Sequence, residues 1–222
     1  MKKYLYLVVT ALVGCGVLLS SCSDDKIEGD SIFSTAPVHR NPFDQWLYKN
    51  YTMPYNIEFQ YRLKTEETDQ AYNFVPADSA KSVKLAILTK YMWFDAYAET
   101  VGLDFVKENS PRIIVVTGTP GYTRYRTEVI GSAEGGYKVR LGKVNALTDD
   151  QLKDYGSMTN YYFHTMHHEF MHILNQKKPY DESYDNISRS DYVSGNWTSI
   201  PDKKAQSMGF VSAYSMENPA ED

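Results

Sequence analysis

Cysteine is almost absent from this chain of 222 residues, in which only Cys15 and Cys22 occur. Both lie close to the N-terminus, so a domain built from the remaining residues has no disulfide and depends on a hydrophobic core. About 200 residues bury enough apolar surface for such a core. The chain also lacks internal repeats and low-complexity tracts, which favours one globular domain over a repeat array.

Excess positive charge is absent as well. The 23 Lys and Arg residues are outnumbered by 28 Asp and Glu residues, which gives a formal net charge of −5. A protein that neutralises nucleic-acid phosphates normally carries a basic patch, and one that adheres to anionic lipid carries a polybasic face. The sequence shows neither, so we expect no nucleic-acid partner and no electrostatic attachment to membranes.

The N-terminus has the composition of a processing segment. Two lysines precede an apolar stretch over residues 4–19, which is too short and too closely followed by polar residues for a membrane span. The segment Leu-Ser-Ser-Cys that ends at Cys22 resembles a bacterial lipobox, in which the chain is cleaved before a diacylated cysteine. An ordinary secretory signal with an incidental cysteine is the alternative.

These features predict the organisation of the chain. We expect a lipoprotein signal peptide over residues 1–21, a flexible tether over residues 22–40 and one domain over residues 41–222. The lipid on Cys22 would anchor the protein in the outer membrane. The acidic segment after Cys22 resembles a signal for the outer face of that membrane, although a solvated tether explains it equally well.

A pair of histidines is the feature of the sequence that most directly indicates a function. His168 and His172 enclose Glu169 in an H-E-x-x-H pattern, within a helix-length run over residues 161–176. Helix positions four apart share a face, so both imidazoles can reach one Zn²⁺ at about 2.0–2.1 Å. Glu169 can hold a water and accept its proton. The pattern predicts a zinc hydrolase, most often a peptidase; an amphipathic helix with surface histidines is the alternative.

Two histidines do not complete a zinc site, since catalytic zinc usually takes three protein ligands and leaves one position open. The metzincin pattern requires Gly and His where this chain has Asn175 and Lys178, which excludes that class. His39 lies far upstream in the predicted tether, so a carboxylate is expected. The candidates are Asp181, Glu182, Asp185, Asp191 and Glu221.

Hydrophobic periodicity predicts an α+β order of elements. This order resembles the zincin-like metalloprotease architecture, and the resemblance implies a mixed sheet that backs the metal helix. The predicted elements are a short helix over Asn41–Tyr51, a strand over Ile57–Lys64, a long helix from Asp78 or Ser79 to near Gly102, a buried strand over Arg112–Thr117, a hairpin over Glu128–Lys143 that turns near Gly135, the metal helix over about Thr159–Gln176 and a short helix near Asp202–Met208. The Tyr137–Leu141 strand is our candidate for pairing with an extended peptide substrate, and an ordinary edge strand is the alternative.

The C-terminal segment over residues 214–221 resembles the Tyr-x-x-x-Asn-x-Ala-Glu pattern of the lethal-factor-like gluzincins. The resemblance implies that Glu221 is the third zinc ligand and that Tyr214 donates a hydrogen bond to the developing oxyanion. A capping-box role, in which Glu221 bonds the backbone of Asn218, is the alternative. Asn218 and Pro219 also have the pattern of a helix start immediately before the last residues, so we expect a truncated C-terminus. Polar terminal residues without a helix are the alternative.

The chain as a whole resembles a family of zinc-binding metallopeptidase lipoproteins, described as substrate-import-associated zinc metallohydrolases. The resemblance rests on the lipobox, on the H-E-F-M-H-I-L-N-Q stretch with the K-K-P-Y segment after it, and on G-F-V-S-A-Y over residues 209–214. It implies a surface-anchored peptidase that acts on peptides or proteins beside a starch-utilisation-type importer. A non-catalytic peptide- or glycan-binding component of such an importer is the alternative, and Glu169 argues for the enzyme.

Replacement of Cys22 by serine tests the predicted lipid anchor. Because a serine offers no thiol for diacylation, Cys22→Ser is expected to release the protein from membranes or to leave the precursor uncleaved. Membrane fractionation and the mass of the mature chain measure both effects, and Cys15→Ser, within the predicted signal peptide, is the matched control. An unchanged mass together with unchanged fractionation would contradict lipidation at this position.

Overall fold

The structure is a computed structural model that describes residues 39–67, 73–123 and 126–222. The predicted signal peptide, Cys22 and all of the tether except its last two residues lie outside these ranges. The helices are α1 Pro42–Leu47, α2 Met53–Tyr55, α3 Ser79–Thr89, α4 Ala96–Val101, α5 Leu103–Asn109, α6 Tyr155–Met158, α7 His164–Lys177 and α8 Asp202–Ser207. The strands are β1 Glu58–Gln60, β2 Ile113–Val116, β3 Gly121–Tyr122, β4 Glu128–Val129, β5 Gly131–Glu134 and β6 Lys138–Leu141.

Wider and tighter turns join these elements. π-helical turns lie at Tyr48–Thr52, Lys90–Asp95 and Thr159–Phe163, and short 3₁₀ turns at Thr65–Glu67, Val144–Ala146, Gln151–Lys153, Glu182–Asn186, Ser194–Ser199 and Tyr214–Met216. Among the helices in the described ranges, none has the length and apolar character needed to span a bilayer.

A mixed sheet forms the centre of the domain, in the strand order β1–β2–β6–β5. β1 and β6 run parallel to β2, whereas β5 runs antiparallel to β6. β2 is buried along most of its length, as its apolar sequence predicts. The expected α+β fold with a mixed sheet against the metal helix is therefore confirmed.

The hairpin of β5 and β6 confirms part of the sequence prediction and corrects part of it. Glu134 pairs with Lys138, and Gly135 and Gly136 make the turn with φ values of +59° and +69°, which glycine adopts without steric cost. The predicted outer part of the hairpin, from Glu128, instead pairs with β3 in a separate two-stranded ladder.

The predicted substrate-pairing strand is wrong. β6 lies between β2 and β5 and forms ladders with both, so Tyr137–Leu141 has no free edge for a peptide. The first strand of the hairpin, β5, lies at the edge and packs against α7. The sequence could not distinguish the two strands of one hairpin, because which of them joins β2 is decided by the tertiary fold.

Side-chain caps position the two long helices. The Asp78 carboxylate accepts the Lys81 backbone N–H at 2.9 Å, and the helix runs from Ser79 through a π turn to Val101, where Gly102 follows with φ +98°. The Asp154 carboxylate accepts a backbone N–H at 2.7 Å and begins the run that contains α7. Both helices lie close to their predicted ranges.

One stripe of α7 is buried in the hydrophobic core. Met166, Phe170 and Ile173 are at most 1 % exposed. The Phe170 ring meets Trp93 and Tyr97 edge to face, with ring centroids 5.7 and 5.0 Å apart. Because burial of each of these side chains contributes roughly 1.5–3 kcal/mol, this stripe fixes the rotation of the helix about its axis.

A second, smaller apolar cluster holds the C-terminal region. Its buried members are Ala205, Phe210, Ala213 and Met216, and its partly buried members are Tyr192, Val193, Trp197 and Ile200. Backbone hydrogen bonds support it: the Val193 N–H donates to Met216 O at 2.8 Å, and the Ala213 N–H donates to the Asp202 carboxylate at 2.9 Å. The sequence analysis predicted only the short helix within this region.

Truncation of Phe170 tests the packing of α7. Phe170→Ala is expected to lower the free energy of unfolding by about 3–5 kcal/mol, because it leaves a cavity among aromatic rings. The matched control is Met171→Ala at the next position, where the side chain is 51 % exposed and the loss should stay within about 0.5 kcal/mol. Urea denaturation with a metal chelator measures both, and equal losses would contradict the assigned rotation of α7.

Candidate metal centre

Two distant parts of the chain meet at one point. His168 and His172 extend from adjacent turns of α7 with their Nε2 atoms 3.0 Å apart. The Glu221 Oε2 atom of the C-terminal segment lies 2.9 Å from the first Nε2 and 3.5 Å from the second. Within the described ranges, these three are the only His, Cys, Asp or Glu side chains that group closely enough to hold a metal ion.

The geometry of the three ligand atoms fits zinc. Ligands at about 2.0–2.1 Å from a tetrahedral ion lie about 3.3 Å from one another, close to the separations seen here. Glu221 Oε2 is also buried, and its nearest polar neighbours are the two imidazole Nε2 atoms. A buried negative charge costs free energy unless a positive charge compensates it, and a cation held by all three groups would do so.

The turn before Glu221 directs its side chain to the histidines. The Asn218 side-chain oxygen accepts the Ala220 backbone N–H at 2.9 Å, and its backbone oxygen accepts the Glu221 N–H at 3.1 Å. The predicted helix start thus forms as a turn. The Glu221 carboxylate faces the two imidazoles instead of closing a capping box on Asn218.

Electrostatics couple the three groups. Burial alone would raise the pKa of the Glu221 carboxyl, but the two adjacent imidazoles outweigh it and lower that pKa to about 2. The same carboxylate raises the pKa of His172. Glu221 is therefore an anion at neutral pH, which is the form that binds a divalent cation.

Glu169 lies beneath the edge strand. It is only 7 % exposed, and burial raises its pKa, while the neighbouring imidazoles and the backbone N–H of Ala133 on β5 oppose the rise. A carboxylate with a raised pKa in a cleft suits proton transfer near neutral pH.

Gly131 permits this arrangement, and the sequence analysis did not identify it. A Cβ atom on Gly131 would lie 2.2 Å from the Thr165 methyl group and 3.3 Å from the Glu169 side chain. Only glycine lets β5 approach α7 this closely. In the sequence, Gly131 is only an isolated glycine at the start of a strand. Such a glycine indicates that another part of the backbone approaches closely, but it does not indicate which element approaches.

Tyr214 lies beside the histidine pair. Its ring centroid is 5.7 Å from that of His168 and 5.0 Å from that of Trp197. Burial first and the Glu221 carboxylate second raise the pKa of its phenol. The hydroxyl therefore stays protonated at neutral pH and can donate a hydrogen bond.

The other candidate ligands lie elsewhere. Asp181 accepts the Ser183 backbone N–H at 2.8 Å, Asp185 accepts the Tyr180 hydroxyl at 3.0 Å, and neither they nor Glu182 and Asp191 join the three-residue group. The remaining histidines are near neighbours or remote: His164 stacks on His168 with centroids 6.1 Å apart, His167 faces the Tyr97 hydroxyl, and His39 is exposed.

Two clefts meet at His168. One, of about 470 Å³, extends toward Tyr180 and Tyr184. The other, which we name the β5 cleft, has a volume of about 540 Å³ and is lined by residues of β4, β5 and α7 on one side and by Trp197, Tyr214 and Glu217 on the other. Clefts of this size accommodate a short peptide segment.

Comparisons with known proteins agree with this geometry. Residues 36–222 match the model of a family described as "Putative zinc-binding metallo-peptidase". The fold is similar to the crystal structure of a protein described in the same words, from Bacteroides caccae ATCC 43185, with a TM-score of 0.64 and 41% sequence identity. The match covers 81% of this chain and 67% of that chain. A comparison with curated proteins finds no match.

Zinc stoichiometry tests the three ligands. His168→Ala and His172→Ala are expected to abolish stoichiometric binding, and Glu221→Ala to weaken it by more than about 100-fold, since even outer-shell partners are worth 10–100-fold. The matched control is His164→Ala, one helical turn before His168, which should keep one zinc per chain. Metal analysis and chelator competition measure the affinities, and full zinc in the double variant of His168 and His172 would place the site elsewhere.

Proposed function

This chain belongs to the zinc-binding metallopeptidase family, and on that premise we propose that it is a peptidase whose zinc is held by His168, His172 and Glu221. The cofactor prediction is confirmed, because the family and the similar structure are both described as zinc-binding and the three side chains fit the ion. Our assignment of the three ligands rests on one observation: a buried oxygen of Glu221 lies beside both imidazoles.

The side chains around this site can perform the proton transfers of hydrolysis. Bound zinc would supply a Lewis acid that polarises a carbonyl and lowers the pKa of a water toward ~7. In our proposal Glu169 accepts the proton of the attacking water and later delivers it to the leaving amine. Its raised pKa and its buried position beneath β5 support this role.

The oxygen of the cleaved carbonyl gains negative charge during the reaction, and a hydrogen-bond donor is needed to stabilise that charge. We assign that role to Tyr214, because its ring lies beside His168 and its phenol stays protonated. A substrate in extended conformation would lie along β5, whose outer edge has no ladder partner among the described strands and can hydrogen-bond a peptide backbone. A protein that only bound zinc or peptide would have no use for a buried acid at Glu169.

The proposal extends to the location of the protein. We propose that lipid on Cys22 anchors it at the outer face of the outer membrane, where it would act on peptides or proteins beside a nutrient importer. The lipobox-like segment that ends at Cys22 and the resemblance to importer-associated lipoproteins support this location.

Conservative substitutions separate chemistry from metal binding. Glu169→Gln is expected to keep one zinc and to lower kcat by at least about 10³-fold, because the amide cannot accept the proton. Tyr214→Phe is expected to keep zinc and to lower kcat by about 10²–10³-fold, the loss seen when one oxyanion donor is removed. Cleavage of a protein-derived peptide mixture by the zinc-loaded enzyme measures both variants.

The matched control is Tyr155→Phe, at a tyrosine that is 70 % exposed, which should keep full activity. Wild-type activity in Glu169→Gln would refute its role as the base. Absence of cleavage by the zinc-loaded wild-type chain with every peptide in the mixture would refute the peptidase proposal itself.

A further inference from the structure

We propose that Glu217 selects substrates by binding a cationic group of the peptide in the β5 cleft. The proposal rests on the peptidase function above and names a substrate class for the same site: peptides that carry an ammonium or guanidinium group near the cleaved bond. Glu217 would be a specificity residue, with no part in proton transfer or metal binding.

The three carboxylates that line the β5 cleft differ in their partners. Glu128 pairs with Lys143 and accepts a hydrogen bond from the Tyr122 hydroxyl. Glu169 is buried beneath β5 beside the metal centre. Glu217 is half-buried, and its carboxylate has no hydrogen-bond or ion-pair partner among the described residues. It is therefore the one carboxylate of the three that is left for a ligand.

The backbone of Glu217 is held in place. Its N–H donates to the Tyr214 carbonyl at 2.9 Å, and its carbonyl accepts the Ser194 N–H at 3.2 Å. The carboxylate is close enough to Tyr214 to contribute to the raised pKa of that phenol. A cation bound by Glu217 would thus lie within a few residues of the reacting carbonyl.

The other groups that line the cleft also favour a cation. Trp197 forms part of the wall, and an aromatic ring attracts the charge and packs against the aliphatic stem of a basic side chain. The described lining contains threonines, glycines and an asparagine but neither lysine nor arginine. An acidic side chain would be repelled by Glu217, whereas a basic side chain would be attracted to it.

Cleavage profiling tests the preference. A protein-derived peptide mixture is digested by the zinc-loaded chain, in its native form and after acetylation of lysines and N-termini, and the cut sites are mapped by mass spectrometry. We expect enrichment of Lys or Arg at one position near the cut of about tenfold, as one hydrogen bond to a charged group provides. In Glu217→Gln the enrichment should disappear while the cleavage of neutral peptides persists; Glu99→Gln, on an exposed helix face, is the matched control.

Blocked and free N-termini distinguish the two sources of the cation. Loss of cleavage on N-terminal acetylation alone would show that Glu217 binds the α-amino group of the substrate. Loss on lysine acetylation alone would show that it binds a side chain. Cleavage without cationic preference, or with a preference that Glu217→Gln retains, would overturn the proposal while leaving the peptidase function intact.

A binding measurement keeps the test independent of hydrolysis. The zinc-loaded Glu169→Gln variant is titrated with the blocked peptide Ac-Ala-Ala-Lys-Ala-Ala-NH₂, with its acetyl-lysine form and with unblocked pentaalanine amide. At least one of the two cationic peptides should bind about tenfold more tightly than the acetyl-lysine form. Adding the Glu217→Gln substitution to the variant should remove this difference. Equal affinity for all three peptides would refute the assignment even if no substrate had been found.

Discussion

The packing of α7 against the core is the constraint on which the candidate site depends. Phe170 and its buried neighbours one turn away hold the helix against the sheet and the α3–α4 helix. With that stripe fixed, His168 and His172 can only face the cleft, and Glu169 can only lie beneath β5. The apolar core therefore sets the direction of each polar group in the H-E-x-x-H pattern.

The edge of the sheet supplies the second half of the cleft. β5 packs against α7 because Gly131 has no side chain, and the Ala133 N–H then lies next to the Glu169 carboxylate. The same strand leaves its outer edge without a ladder partner among the described strands. One close contact between a strand and a helix thus positions the proposed base and leaves a backbone edge for the substrate.

The C-terminal apolar cluster positions the side chains of the site that come from neither α7 nor β5. It holds the backbone near Met216, and from this support Tyr214 reaches His168 while Glu217 lines the β5 cleft. Glu221 follows one turn later and completes the proposed ligand set. A small apolar cluster outside the main core therefore positions three side chains to which we assign separate roles at the same site.

The sequence by itself determined the local arrangement of the H-E-x-x-H side chains, because helical periodicity alone brings His168 and His172 to one face and Glu169 next to them. Side-chain caps and alternating patterns also determined most element positions. Tertiary structure decided what local patterns cannot encode: that β5 rather than β6 is the edge strand, and that Gly131 is the point of close approach. It also decided which of five acidic residues reaches the histidines, since that depends on how a sequence-distant segment packs rather than on its spacing.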